Sequence, residues 1–227
     1  MQPYLFPHNG YFQLMNAVDK FVVYDDVSFI KSGWINRNKI LINKVTSTFT
    51  VPLIKASSNA LIKDIKIDKN TRWRKKLLKS IQQSYHRAPY FSQVFELVSD
   101  VIMGGSIFIK DMHLHSFSLI KTYLGINTCI TDSSVIYKND QLKGQNRVLD
   151  ICRLEKANHY INSIGGRRLY DKQAFCQAGI KLSFIDSEDI VYPQFNERFV
   201  PQLSIIDVLM FNSPESTHEM LDKFKLL

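Results

Sequence analysis

Cysteine is scarce in this 227-residue chain: there are three, Cys129, Cys152 and Cys176, and no pair of them has metal-like spacing. That excludes a disulfide-built scaffold and a sequence-encoded zinc site. Long apolar runs are missing too, and nothing approaches the roughly 18 apolar residues a membrane helix needs. The first segment lacks the basic start, apolar core and small-residue cleavage site of a secretory signal. The expectation is a reduced, cytoplasmic protein. With no internal repeat, low-complexity tract or long Pro/Gly/Ser linker, residues 1–227 read as one domain.

What is present is globular in composition: 45% hydrophobic, 22% charged and 12% aromatic. The formal net charge is +8, with one dense basic cluster, "RWRKKLLK", at 72–79. No recognisable nucleic-acid module accompanies it, so sequence-specific binding is not expected. A solvated helix face and attraction to an anion (a nucleotide, a phosphorylated lipid or an RNA) both stay open.

Periodicity divides the chain into elements. "FVVYDDV" from Phe21 reads as a buried strand, and 10–18 before it has apolar residues at helical spacing. "ILINK" and "STFTVPLI" read as a strand pair closed around Asn43 and Lys44. A helix is expected from an N-cap at Thr71, with Trp73, Leu77, Ile81 and Tyr85 on one stripe. A second starts at Pro89, and a third ends at Gly125. His113 and His115 in the third helix are two apart and face different ways, so no shared metal is expected.

The last third alternates: "NTCITDSSVI" as strand, "GQNRVLDICRLEKA" as helix, "HYINSI" as strand, "DKQAFCQAG" as helix and "IKLSFID" as strand. Such alternation predicts an α/β fold, a mainly parallel sheet with flanking helices, carrying a helical insertion at about 71–125. Sites in such sheets form beyond the carboxyl ends of strands. "YDDV" and "INSIGG" both fall there.

The candidate chemistry gathers at those ends. Asp25 and Asp26 follow a strand, where one carboxylate can orient an amine or accept its proton while the other caps a loop. "KSGWINRNKI" offers Trp34 as a flat face, Arg37 as a planar fork and Asn38 as a donor–acceptor pair. In "NSIGGRRLYDKQAF", Gly165 and Gly166 let backbone amides approach an anion, helped by Arg167, Arg168 and the following helix start. Cys152 is ordinarily a small buried hydrophobe, and as a nucleophile it would need a partner such as His159. Ser204 and Asp207 share a face of a short helix, but no Gly-x-Ser-x-Gly turn surrounds the serine.

Taken together, "MQPYLFPHNGYFQL", "DKFVVYDDVSFIKSGWINRNKI", "TVP", "YINSIGGRRLYDKQAF", "IKLSFI" and "YPQFNERFVPQLSIIDVL" resemble the WbqC-like family over essentially the whole length. The resemblance implies a part in bacterial O-antigen and other surface-polysaccharide biosynthesis, modifying an amino sugar. The implied partners are a nucleotide-linked sugar and an acyl or aminoacyl donor, aminoacyl-tRNA being one such donor; no cofactor is named. It favours Gln2, Pro3, Asp25, Asp26, Trp34, Arg37, Asn38, Asn162, Gly165, Gly166, Tyr170, Gln194, Ser204 and Asp207 as site residues. Family members usually carry a short apolar strand before "MQP", whereas the sequence here begins at Met1 of that segment, so a start placed too late and an absent first strand both stay open; His8 and Asn9 depart from the aromatic and aliphatic residues expected there. "HNGY" is similar to the His-x-Gly-His start of nucleotidylyltransferases, with Tyr11 in place of the second histidine. Nucleotidyl transfer and a non-catalytic scaffold role are the alternatives.

Overall fold

The computed structural model describes residues 1–195 and 198–227. In chain order the elements are α1 (Asn9–Asn16), β1 (Lys20–Val22), β2 (Arg37–Ile42), β3 (Val45–Thr50), β4 (Leu53–Ile54), β5 (Lys66–Ile67), α2 (Arg72–Tyr85), α3 (Phe91–Met103), α4 (Ile109–Leu124), β6 (Cys129–Thr131), α5 (Gly144–Leu154), β7 (His159–Ser163), α6 (Lys172–Gln177), β8 (Lys181–Ser187), α7 (Ile205–Phe211), α8 (Pro214–Leu221) and β9 (Phe224–Leu226). The class is mixed α/β, and the helices α2 to α4 follow one another between residues 72 and 124. Among the described residues, four small sheets take the place of one large one. β1–β6 and β7–β8 pair in parallel, whereas β2–β3, β4–β5 and β8–β9 are antiparallel. Parallel strands are present, but they do not dominate.

Local chemistry explains most boundaries. The β2–β3 hairpin turns on Asn43 and Lys44, both at positive φ (51° and 64°), the two-residue turn whose twist matches the strands. Gly125, at φ 67°, ends α4 by returning its N–H to the Lys121 and Thr122 carbonyls. Ser213 caps α8 ahead of Pro214. Thr71 does not cap α2. Instead, the Asn70 side chain accepts the Arg72 N–H at 3.0 Å, and Asp68 accepts that of Asn70 at 2.8 Å.

Two hydrophobic cores result. The larger gathers α1, the helices α2 to α4, and α7 around Phe12, Phe117, Ile81 and Ile206. The smaller joins α5, α6, β7 and β8 around Cys152, Phe175, Leu182 and Phe184. Because side chains alternate along a strand, β8 gives Leu182 and Phe184 to the small core and Ile185 to the large one.

The first residues are fastened to distant parts of the chain. Met1 lies beside β1, with its nitrogen donating to the Val22 carbonyl and its own carbonyl accepting from Tyr24 N–H. Phe6 is buried at φ 41°, a conformation costly for a bulky side chain. Its carbonyl accepts the Asn38 amide at 2.7 Å and the Ser204 hydroxyl at 2.7 Å. Gln13 in α1 donates to the carbonyls of Met220 (2.9 Å) and Lys223 (3.0 Å).

Candidate functional site

β1 pairs with β6 in parallel, and both chains leave the ladder in the same direction. Beyond that end lie Tyr24, Asp25 and Asp26 on one side and Ser133 and Ser134 on the other. Asp25 is wholly buried. Its Oδ1 accepts the Ser133 hydroxyl at 2.7 Å and the Ser134 N–H at 3.2 Å. Its Oδ2 has no hydrogen-bond partner, and the Lys110 ammonium is 3.8 Å away. Asp26 is nearly enclosed, with Oδ1 accepting from Ser134 Oγ and Oδ2 from Arg147 Nη2, each at 2.5 Å. Arg147, itself 3% exposed, lies 4.9 Å over the Tyr24 ring and donates to Asn139 at 2.9 Å. Asn139 in turn donates to Asp150 at 2.7 Å. The charge of Asp26 is therefore neutralised by a hydrogen-bonded cation, the arrangement a buried carboxylate requires.

The end of β7 adjoins this group. Tyr160 and Asn162 point to the same face of the strand, and the Asn162 amide donates to the Tyr160 hydroxyl at 3.3 Å. That hydroxyl donates to Tyr170 at 3.4 Å. Tyr160 stacks on Phe175, with ring centroids 5.5 Å apart. Burial raises the Tyr160 pKa, and Tyr170, Cys152 and Tyr24 are all close enough to raise it further. Burial also pushes the Cys152 thiol up to about 11, so the neutral thiol is favoured.

Residues 164–169 form a 3₁₀ turn between β7 and α6, so the glycines do not start an α-helix. The N-terminus of α6 is capped instead by Asp171, which accepts the Gln173 N–H at 2.9 Å. A Cβ on Gly166 would lie 2.9 Å from Asn162 Nδ2, whereas Gly165 has open space. Arg167 and Arg168 are exposed, and neither has an ionic or hydrogen-bonding side-chain partner among the described residues.

Thus Asp25 and Asp26 share one group with Tyr24 and Arg147, while Asn162, Gly166, Tyr170 and Cys152 gather about Tyr160, which Tyr24 links to that group; Gly165 and Arg167 lie on the exposed turn beside them. Reading the sequence alone misses Tyr24, Ser134, Asn139, Arg147 and Tyr160. Tyr24 directly precedes the two aspartates and Tyr160 lies two before Asn162 on a strand, so those two had a local signal. The partnership of Arg147 with Asp26, 121 residues away, had none.

Other expected residues lie in different settings. Trp34 is 41% exposed, with the Arg37 guanidinium 5.9 Å and the Lys39 ammonium 5.6 Å from its ring. Arg37 also donates to the carbonyls of Gly33 and Ser32. Asn38 points inward to the Leu5 and Phe6 carbonyls. Pro3 is buried, and Gln2 offers its carbonyl to the Tyr11 hydroxyl at 3.0 Å. Ser204 caps α7.

Asp207 is buried, accepting from Tyr85 (2.7 Å), Tyr192 (2.7 Å) and Gln194 (2.8 Å). Burial raises its pKa against the pull of those three bonds. Asn196 and Glu197 of the last quoted landmark lie outside the described residues. His8 caps α1, its Nδ1 accepting the Gly10 N–H at 3.1 Å. Among the described residues, no three His, Cys, Asp or Glu side chains gather as a metal-binding group, and no helix is long and apolar enough to cross a membrane.

The model of the WbqC-like protein family matches residues 2–219. An uncharacterized protein of Mycobacterium tuberculosis is 28% identical over 216 residues, covering 91% of this chain and 89% of its own length. No solved structure matches.

Proposed function

The chain belongs to the WbqC-like protein family, and we propose that it transfers an acyl or aminoacyl group to the amine of a nucleotide-linked amino sugar in bacterial surface-polysaccharide (O-antigen) biosynthesis. One observation carries the reading. The turn after β7 presents two guanidiniums, Arg167 and Arg168, unpaired among the described residues, next to a row of half-buried hydroxyls, Tyr160 and Tyr170, and the buried amide of Asn162. Guanidiniums suit a pyrophosphate, and a row of directional donors and acceptors suits sugar hydroxyls. The open side of Gly165 gives the pyrophosphate room beside the backbone.

Asp26, paired with Arg147, offers its carboxylate as an acceptor for the N–H of a bound amine. It acts here by orientation. The amine nitrogen attacks the donor's carbonyl carbon, a C–N bond forms, and the bond to the donor's thiolate or alkoxide breaks. The proton released by the nitrogen leaves with that group. Holding both reactants in line is where an enzyme of this kind gains most.

A thermal-shift screen against UDP- and dTDP-linked sugars, with and without a free amine, tests the reading. A sugar at 100 times its dissociation constant adds about 2.7 kcal/mol. A shift for amino sugars that disappears in Arg167→Gln/Arg168→Gln is expected, followed by an acylated product detected by mass spectrometry. No shift with any nucleotide sugar would refute it.

A second reading, binding without turnover, draws on the enclosed state of the candidate catalytic groups. Asp25 is sealed, Asp26 is paired and the Cys152 thiol is protonated. It predicts the same thermal shift with no acylated product.

A further inference from the structure

We propose that the surface formed by the β2–β3 hairpin and α2 binds single-stranded RNA. The inference does not rest on the transferase reading, although an aminoacyl ester of RNA is one donor that would use such a surface.

The charge of the molecule is local. Residues 27–95 hold fourteen of the 29 lysines and arginines and only two of the 21 acidic residues, Asp64 and Asp68. The rest of the chain is net acidic, so the +8 balance belongs to this segment. Within it, α2 has no acidic residue at all. Arg72, Lys75, Lys76 and Lys79 are exposed on adjacent turns, and none forms an ion pair among the described residues. A merely solvated helix face normally interleaves acids at i±4; this one does not.

The helix and the hairpin are joined, since the Tyr85 hydroxyl accepts the Leu41 N–H at 2.9 Å. Where they meet is a cavity of about 490 Å³ whose lining includes Asn43, Lys44, Gln83, His86 and Arg87. At the other end of the hairpin stands Trp34 with Arg37 and Lys39 against its ring. Across the ladder from those cations, Thr48 and Thr50 are exposed. An exposed aromatic ring amid cations and hydroxyls is what an unstacked base and its phosphates need.

A membrane surface fits less well. The apolar stripe of α2, Leu77, Ile81 and Tyr85, is buried in the core, so the basic face has no apolar partner with which to enter a bilayer.

The test is anisotropy with a fluorescein-labelled oligouridylate of about 12 nucleotides, titrated across a salt series. If four phosphates are engaged, log affinity falls against log salt with a slope of about −3. Trp34→Ala should weaken binding roughly tenfold or more while leaving that slope intact. Lys75→Gln/Lys76→Gln/Lys79→Gln should flatten the slope by about 2. All these side chains are exposed, and circular dichroism verifies that each variant is folded. The proposal is overturned if the folded protein does not bind at low salt, or if both variants bind like the parent. It is also overturned if phosphatidylglycerol vesicles bind with the same dependence on Trp34 and the lysines.

Discussion

Acid should weaken this protein through one buried imidazole. His113 is wholly enclosed in α4, with Nε2 2.6 Å from the Ile35 carbonyl oxygen. Since a carbonyl only accepts, Nε2 carries the proton and donates it, and Nδ1 is left without a partner. Burial pushes the pKa from 6.5 down to about 4, against the opposing effect of the Ile35 hydrogen bond. In the unfolded chain the ring titrates near its ordinary value. Between the two values the unfolded state binds the extra proton, so stability rises with pH across that window.

The contribution is complete above about pH 6.5 and is lost as the pH falls toward about 4. At 1.36 kcal/mol per pKa unit it amounts to about 3 kcal/mol, with about 1.4 already gone near pH 5.5. That is a large share of a typical total of about 5–15 kcal/mol. The assay is urea unfolding at about pH 7.5, 5.5 and 4.5 for the parent and for His113→Gln, whose amide can donate to Ile35 without titrating. Carboxylates that titrate in the same range cancel in the difference. The parent should lose about 2–3 kcal/mol relative to the variant by about pH 4.5, a relative midpoint shift on the order of 1 M urea. Parallel pH profiles for the two proteins would refute the reasoning.

Arg147→Met strands the Asp26 carboxylate in a buried site and should cost about 3–5 kcal/mol, read as a lower midpoint in urea; adding Asp26→Asn should recover part of the loss. Tyr85→Phe removes a donor to Asp207 and the acceptor of the Leu41 N–H, so about 2–3 kcal/mol is expected, against about 1–1.5 for Tyr192→Phe. Equal costs would show that the Leu41 N–H finds another partner. Gly166→Ala should destabilise by about 1–3 kcal/mol because its Cβ meets the Asn162 amide, whereas Gly165→Ala should be close to neutral; thermal melts of the pair decide it.

Much of the fold was legible because its signals are local. Asn43 and Lys44 between two short apolar runs announce a hairpin, and Gly125 after a helical stripe announces an end. The strand-end position of Asp25 and Asp26 was legible for the same reason. The partition into four small sheets was not, since pairing depends on which strand edges meet, and periodicity is silent about that. Thr71 has the residue type of a cap, but the Asn70 side chain takes the Arg72 N–H instead. Asn38 and Asp207 illustrate the harder limit. Both are polar residues whose patterns suit a ligand site, and each has partners inside the protein that are distant in sequence, Leu5 and Phe6 for Asn38 and Tyr85 for Asp207. Helical spacing says only that His113 and His115 face different ways; it takes the neighbours of His113 to show that it is sealed and that burial lowers its pKa.

The hold on Phe6 has a consequence for how the chain is made. Its unfavourable backbone is secured by Ser204, and α1 is secured by the carbonyls of Met220 and Lys223. A ribosome adding about 5–20 residues per second needs on the order of 10–40 s to travel from one partner to the other. Throughout that interval Phe6 keeps the Asn38 amide but lacks its Ser204 partner, and α1 lacks the two carbonyls that receive Gln13. The opening segment is therefore synthesised first and is the last to gain its full set of hydrogen bonds.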